Sequence, residues 1–151
     1  MSVDDDAVRR FDEQFAAHYS EVFRYVVRRA PLSNAEDALA ETFLVAWRRA
    51  DQMPDDSLPW LLGVARRVLA NQRRGDLRRQ ALSVRLKSTW AGSASVWEPP
   101  DGVSPELAGA LASLSERERD ALLLTAWDGL EVNRAARAAG CSAAAFRVRL
   151  H

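Results

Sequence analysis

The chain has 151 residues, 48% of them hydrophobic, one cysteine, and 21 basic residues balanced by 21 acidic ones. That length allows one moderate core or two small ones, and no apolar run approaches the roughly 20 residues that cross a bilayer. The start, Met1-Ser2-Val3-Asp4-Asp5-Asp6, is acidic where a secretory signal is basic, so a cytoplasmic protein without direct membrane insertion is expected. The single thiol, Cys141, excludes an internal disulfide and a cysteine-rich zinc site and reads as a small buried hydrophobe. Zero net charge argues against a uniformly basic nucleic-acid binder, but the charge is unevenly spread. Residues 1–59 hold 7 basic and 12 acidic side chains, residues 60–90 hold 8 and 1, and residues 91–151 hold 6 and 8. The basic island suits phosphate contact, which releases counterions; a solvated helix face is the alternative.

In chain order, Phe11, Phe15, Tyr19, Val22, Phe23 and Val26 form an amphipathic stripe of a first helix, limited by Pro31. Ser33-Asn34-Ala35-Glu36 reads as a capping box that opens a second helix. Leu39, Phe43, Ala46 and Trp47 form its buried face, leaving Asp37, Glu41, Thr42, Val45 and Arg48 on the other sides. Gln52-Met53-Pro54-Asp55-Asp56-Ser57 is a loop by its proline and aspartates. A third helix then buries Leu58, Leu61, Leu62, Ala65, Val68 and Leu69 and turns Trp60, Gly63, Arg67, Asn71 and Arg74 outward. An exposed aromatic among cations and an amide suits a single nucleic-acid strand, with the ring as a stacking platform; packing of Trp60 on the preceding loop is the other reading.

Residues 81–104, with Ser83, Ser88, Gly92, Ser93, Ser95, Pro99, Pro100 and Gly102, show no sustained period and read as a flexible linker. The expected architecture is all-α, with a helical domain at 8–80 and a second at 105–151. In the second domain, Ser115 and Glu118 repeat the capping-box pattern, and Leu122, Leu123 and Ala126 form a packing face. Val132, Ala135, Ala136 and Ala139 lie at helical spacing, a small-residue stripe that lets another helix approach closely. Gly140 suits a left-handed helix end and Ser142 the next cap, which completes a helix-turn-helix pattern. Ala143, Phe146 and Leu150 share the inner face of the final helix, and Ala144, Ala145, Arg147, Val148 and Arg149 are placed outward, as a recognition helix presents them to a groove. An ordinary helical hairpin with solvated arginines remains the alternative.

These segments resemble a known family. Asp37-Ala38-Leu39-Ala40-Glu41-Thr42-Phe43-Leu44-Val45-Ala46-Trp47-Arg48 is similar to the polymerase-binding helix of bacterial sigma factors, with its acidic pair, E-T-F and A-W. Pro59-Trp60-Leu61-Leu62-Gly63-Val64-Ala65-Arg66-Arg67-Val68-Leu69-Ala70-Asn71 resembles the helix after it, which melts and reads the minus-ten element. Leu114 to Arg119, Trp127-Asp128-Gly129-Leu130 and Arg147 to His151 resemble the second conserved domain. Two domains with none between them point to the extracytoplasmic-function (ECF) group of the sigma-70 family.

The resemblance implies a transcription initiation factor whose partners are core RNA polymerase (its β′ clamp and β subunits), promoter DNA and an anti-sigma factor. Asp37, Glu41, Thr42, Phe43 and Val45 fall where the family meets the clamp, Phe43 being divided between core and interface. Gln52, Asp55, Asp56 and Ser57 fall in the loop that captures a flipped base, an extrusion costing a few kcal/mol. Trp60, Arg66, Arg67, Asn71, Arg73 and Arg74 would hold the adjacent DNA. Ser142, Ala144, Ala145, Arg147 and Arg149 match the minus-thirty-five contacts, arginine being suited to bidentate contact with guanine. The linker, with Trp90 and Trp97, would run toward the RNA exit channel; alternatively those tryptophans dock on a domain. The family's recognition helix continues into an Arg-rich tail, so an end at His151 implies a second domain whose C-terminal end is missing.

The residues favour no enzyme. His18 and His151 are the only histidines, and neither metal-ligand spacing nor a glycine-rich phosphate loop is present, so no metal or cofactor is expected. The rival reading is a stand-alone two-domain helix-turn-helix regulator that binds duplex DNA without polymerase. Such a protein has no need of the E-T-F and A-W pattern or of a basic melting helix.

Overall fold

The computed structural model describes residues 3–87, 97, 99–100 and 102–151. Among these the chain is all-helical: α1 (Val3–Val27), α2 (Leu32–Arg48), a 3₁₀ turn (Ala50–Gln52), α3 (Ser57–Lys87), α4 (Pro105–Ser113), α5 (Glu116–Ala126), α6 (Val132–Ala139) and α7 (Ala143–Leu150). Of the expected linker, residues 88–96, 98 and 101, Trp90 among them, lie outside the described residues. The third helix runs to Lys87, seven residues past the expected limit of the first domain, because no helix-breaking residue intervenes after Gly75.

The first half is a three-helix unit in which α1, α2 and α3 pack on one another. Val22, Tyr25 and Val26 of α1 meet Ala38, Leu39 and Phe43 of α2 and Leu58, Leu61, Leu62, Ala65, Val68 and Leu69 of α3, all buried. The expected stripe of α1 is corrected here. Phe15, Tyr19 and Phe23 stay exposed, and the buried aromatic of that helix is Tyr25, which lies one turn from Val22 on the face toward α3. The Ser33–Glu36 capping box is not formed: Pro31 is the N-cap of α2, with no side-chain cap hydrogen bond. Proline's fixed φ starts the helix two residues before the box would.

In the second half the expected end signals are observed. Ser115 accepts from the Glu118 backbone N–H (3.2 Å) while Glu118 Oε2 accepts from Ser115 N–H (2.9 Å). Gly140 has φ 72°, the left-handed C-cap of α6, and Ser142 Oγ accepts from Ala145 N–H at 3.1 Å. Phe146 is fully buried among α5, α6 and α7, and Cys141 is half-buried against the core.

The two halves share one hydrophobic core, with Ala121, Leu124, Leu130, Ala135, Ala136, Ala138, Ala139 and Phe146 joined to the residues of the first half. The junction is α6 lying on α3. Alanines on α6 and Gly63 on α3 allow it: a Cβ added at Gly63 would sit 3.5 Å from the Ala138 carbonyl oxygen, so the two backbones approach closely. The small-residue stripe of α6 therefore admits α3 as well as α7. No helix of the described residues is long and apolar enough to cross a membrane.

Candidate nucleic-acid and protein interfaces

One candidate interface lies on the outer face of α1 and α2. Asp37 and Glu41 are exposed as expected. Beside them Phe15, Tyr19, Phe23, Leu44 and Trp47 remain exposed, and Phe15 and Tyr19 pack on Phe43 with ring centroids 4.6 and 5.8 Å apart. Phe11 meets the Trp47 ring edge-on at 5.2 Å. Trp47, expected in the core, is 44% exposed, because it projects from α2 beside Phe11 rather than toward α3. Thr42, expected outward, is fully buried, and its hydroxyl donates to the Ala38 carbonyl at 2.7 Å. Phe43 is buried and Val45 half-buried, so the available surface is the aromatic ledge flanked by Asp37 and Glu41. A contiguous exposed apolar patch rimmed by charge is characteristic of a protein-binding surface.

A second interface comprises the loop before α3 and one side of that helix. Gln52 and Asp55 are exposed, and Asp55 pairs with Arg10 at 2.9 Å. Ser57, expected in the base-capturing loop, is fully buried and its hydroxyl donates to Gln14 Oε1. Asp56 is held by Arg134 and Arg137 of α6. The Arg134 hydrogen bond is the chief reason its carboxyl lies below the ordinary carboxylate value, against some opposition from burial. Trp60 is half-buried against the core, and Gly63 is covered by α6 rather than outward. Arg67, Asn71 and Arg74 are exposed, with Arg74 donating to Asn71 Oδ1 at 2.7 Å. Arg66 and Arg73 turn toward the second half, where Arg73 pairs with Glu116 at 2.7 Å.

On α7, Ala144, Ala145, Arg147 and Val148 face outward, Val148 being 74% exposed. Ser142 spends its hydroxyl on the cap. Arg149 departs from the expectation: it is half-buried and lines the cleft between the halves, two residues from Arg147 and hence on a different side of the helix. The outward strip is mainly apolar with one arginine, a surface for thymine methyls and a single guanine or phosphate.

The residues missing from the sequence reading are those that join the halves. Arg29 Nη2 donates to Asp128 Oδ2 at 2.7 Å, and the two side chains are only 7% and 6% exposed. Arg28 Nη1 donates to the Trp127 carbonyl at 2.7 Å and lies 3.2 Å from Asp128 Oδ1. The Arg29 guanidinium lies 3.6 Å from the Tyr25 ring centroid. Arg28 and Arg29 are about a hundred residues from Trp127 and Asp128, and no local pattern links them.

The all-helical fold carries a helix-turn-helix at α6–α7 and, on its other half, an acidic-aromatic ledge. Residues 105–151 match the model of sigma-70 region 4. The chain is 29% identical over 143 residues to the ECF RNA polymerase sigma factor SigL of Mycobacterium tuberculosis, covering 89% of this chain and 78% of that one. Among solved structures it is similar to CnrH in complex with the cytosolic domain of CnrY (TM-score 0.61, 22% identity, 94% of this chain and 80% of that one). It is also similar to the sigma factor RpoE in complex with the anti-sigma factor NepR from Bartonella quintana (TM-score 0.60, 20% identity, 93% and 89%). Residues 105–151 are therefore a sigma-70 region 4, and over most of its length the chain is similar to ECF sigma factors.

Proposed function

We propose that this chain binds core RNA polymerase through the α1–α2 ledge, opens the promoter near minus ten with the loop and exposed side of α3, and reads minus thirty-five with α7. The observation that carries the reading is the ledge itself. Phe15, Tyr19, Phe23, Leu44 and Trp47 are left uncovered beside Asp37 and Glu41, on the half of the chain that does not bear the helix-turn-helix. A regulator acting on duplex DNA alone has no use for it. Polymerase, promoter DNA and an anti-sigma factor are the partners in this reading, and the work is done in the cytoplasm without catalysis by this chain. The relatives solved with CnrY and NepR support the third partner.

Promoter engagement also requires α6 to leave α3, because α6 arginines occupy the Asp56 carboxylate and α6 covers the Gly63 side of α3 in this arrangement. The test is pull-down with bacterial core polymerase followed by run-off transcription. Asp37→Arg combined with Glu41→Arg is expected to abolish polymerase capture while the helical content is kept. Trp60→Ala is expected to spare capture and reduce open-complex formation. Duplex binding without polymerase association would overturn the reading in favour of a stand-alone regulator.

A further inference from the structure

Between the halves lies a cavity of about 360 Å³, within the range of small-molecule sites. Arg29, Arg66 and Arg73 enter it from the first half, and Arg117, Arg119 and Arg149 from the second. The lining acids are Glu116 and Asp120, so the lining carries six positive charges against two negative ones. Part of this charge is already answered, since Arg73 pairs with Glu116 at 2.7 Å and Arg29 with Asp128 outside the cavity. Arg66 is not answered: its Nε is buried without a hydrogen-bond partner among the described residues. Arg29 Nε is also buried and lies 3.5 Å from Asp120 Oδ1, an ion-pair distance without hydrogen-bond alignment. Arg119 reaches the Leu111 and Leu114 carbonyls only at 3.4 Å and lies 5.0 Å from the Trp97 ring centroid. Burial, with Arg73 nearby, works against its charge.

We propose that this cleft is a binding site for a small multivalent phosphate anion, a diphosphate or the polyphosphate of a nucleotide, held by arginines from both halves. A monovalent anion would leave most of the excess charge uncompensated. Adjacent phosphates match it and offer several oxygens to guanidinium forks, the geometry in which arginine exceeds lysine. A double helix does not fit a cavity of this volume. Because the arginines come from both halves, the anion ties them together. Arg66 and Arg73 also belong to the proposed DNA face, so an occupied cleft withholds them from the promoter; that consequence, unlike the binding, rests on the sigma reading.

The experiment is isothermal titration of the 151-residue chain with sodium pyrophosphate at ionic strength held constant with sodium chloride. Saturable binding of one anion per chain is expected, weakened about tenfold or more by Arg119→Gln and by Arg117→Gln, the loss of one charge-assisted contact. Arg9→Gln, on the exposed face of α1, should bind as the parent does. Arg117 is exposed, so its variant keeps the test valid if Arg119→Gln fails to fold. Absence of saturable binding, or equal weakening by Arg9→Gln, would overturn the proposal. None of these readouts involves polymerase or promoter.

Discussion

Asp56 and Arg134 form a bidentate pair across 78 residues of sequence, with Arg134 Nη2 and Nε donating to the two carboxylate oxygens at 2.8 and 3.1 Å. Arg137 Nη2, one turn further along α6, donates to Asp56 Oδ2 at 3.0 Å. A carboxylate expected in the base-capturing loop thus fastens the helix-turn-helix onto the helix it would serve. Asp56→Ala removes all three bonds and should loosen the junction. Small-angle scattering should show a larger radius of gyration for the variant, with helical content unchanged. An unchanged radius would mean that the α3–α6 packing alone holds the halves together.

Arg29 and Asp128 make the more buried contact, and breaking it should cost more. Arg29→Ala leaves Asp128 with Arg28 at 3.2 Å as its remaining cation. Removing one partner of a buried pair costs roughly 3–5 kcal/mol, and the presence of Arg28 points to the lower end, about 3 kcal/mol. Urea unfolding followed by circular dichroism measures this. A loss under about 1 kcal/mol would show that Arg28 replaces Arg29 fully.

Two carboxylates at the junction respond to acid in opposite directions. Burial raises the Asp120 pKa above its ordinary value although Arg29 is near, so the folded chain binds this proton more tightly than the unfolded one. Its contribution to stability therefore improves as pH falls from neutral through the folded value. The Asp56 pKa is held below 3.8, so its contribution is present above the ordinary value and lost as pH falls through the depressed one. Stability should rise slightly into mild acid and then fall below about pH 4. Asp120→Asn should flatten the rise, as thermal melts at a series of pH values will show.

On α7 the two arginines should behave differently. Arg147 projects outward, and Arg147→Ala is expected to weaken binding to a minus-thirty-five duplex by about 1–3 kcal/mol. Arg149 lines the cleft, so Arg149→Ala should have the smaller effect on that duplex. Fluorescence anisotropy with a short duplex separates the two, and equal losses would place Arg149 on the groove as well.

Much of this molecule was legible as local pattern. The helical periods of α2, α3 and α6, the Ser115–Glu118 box, the Gly140 and Ser142 caps and the exposed positions of Asp37 and Glu41 depend on neighbours within one or two turns. The amino-acid order by itself therefore determined the all-helical class, the helix-turn-helix and the resemblance to ECF sigma factors. Where local signals compete, they misled: Pro31 displaced the Ser33 cap, and the aromatic spacing of α1 concealed that Tyr25 is buried while Phe15, Tyr19 and Phe23 are not. Only the tertiary structure decided that the halves share a core. It also turned Arg149, Arg66 and Arg73 toward a common cleft, buried Thr42 and Ser57, and paired Asp56 with α6. Helical periodicity says which residues share a face, whereas contacts between residues 78 to 100 apart arise from shape and charge that are complementary only once both helices exist.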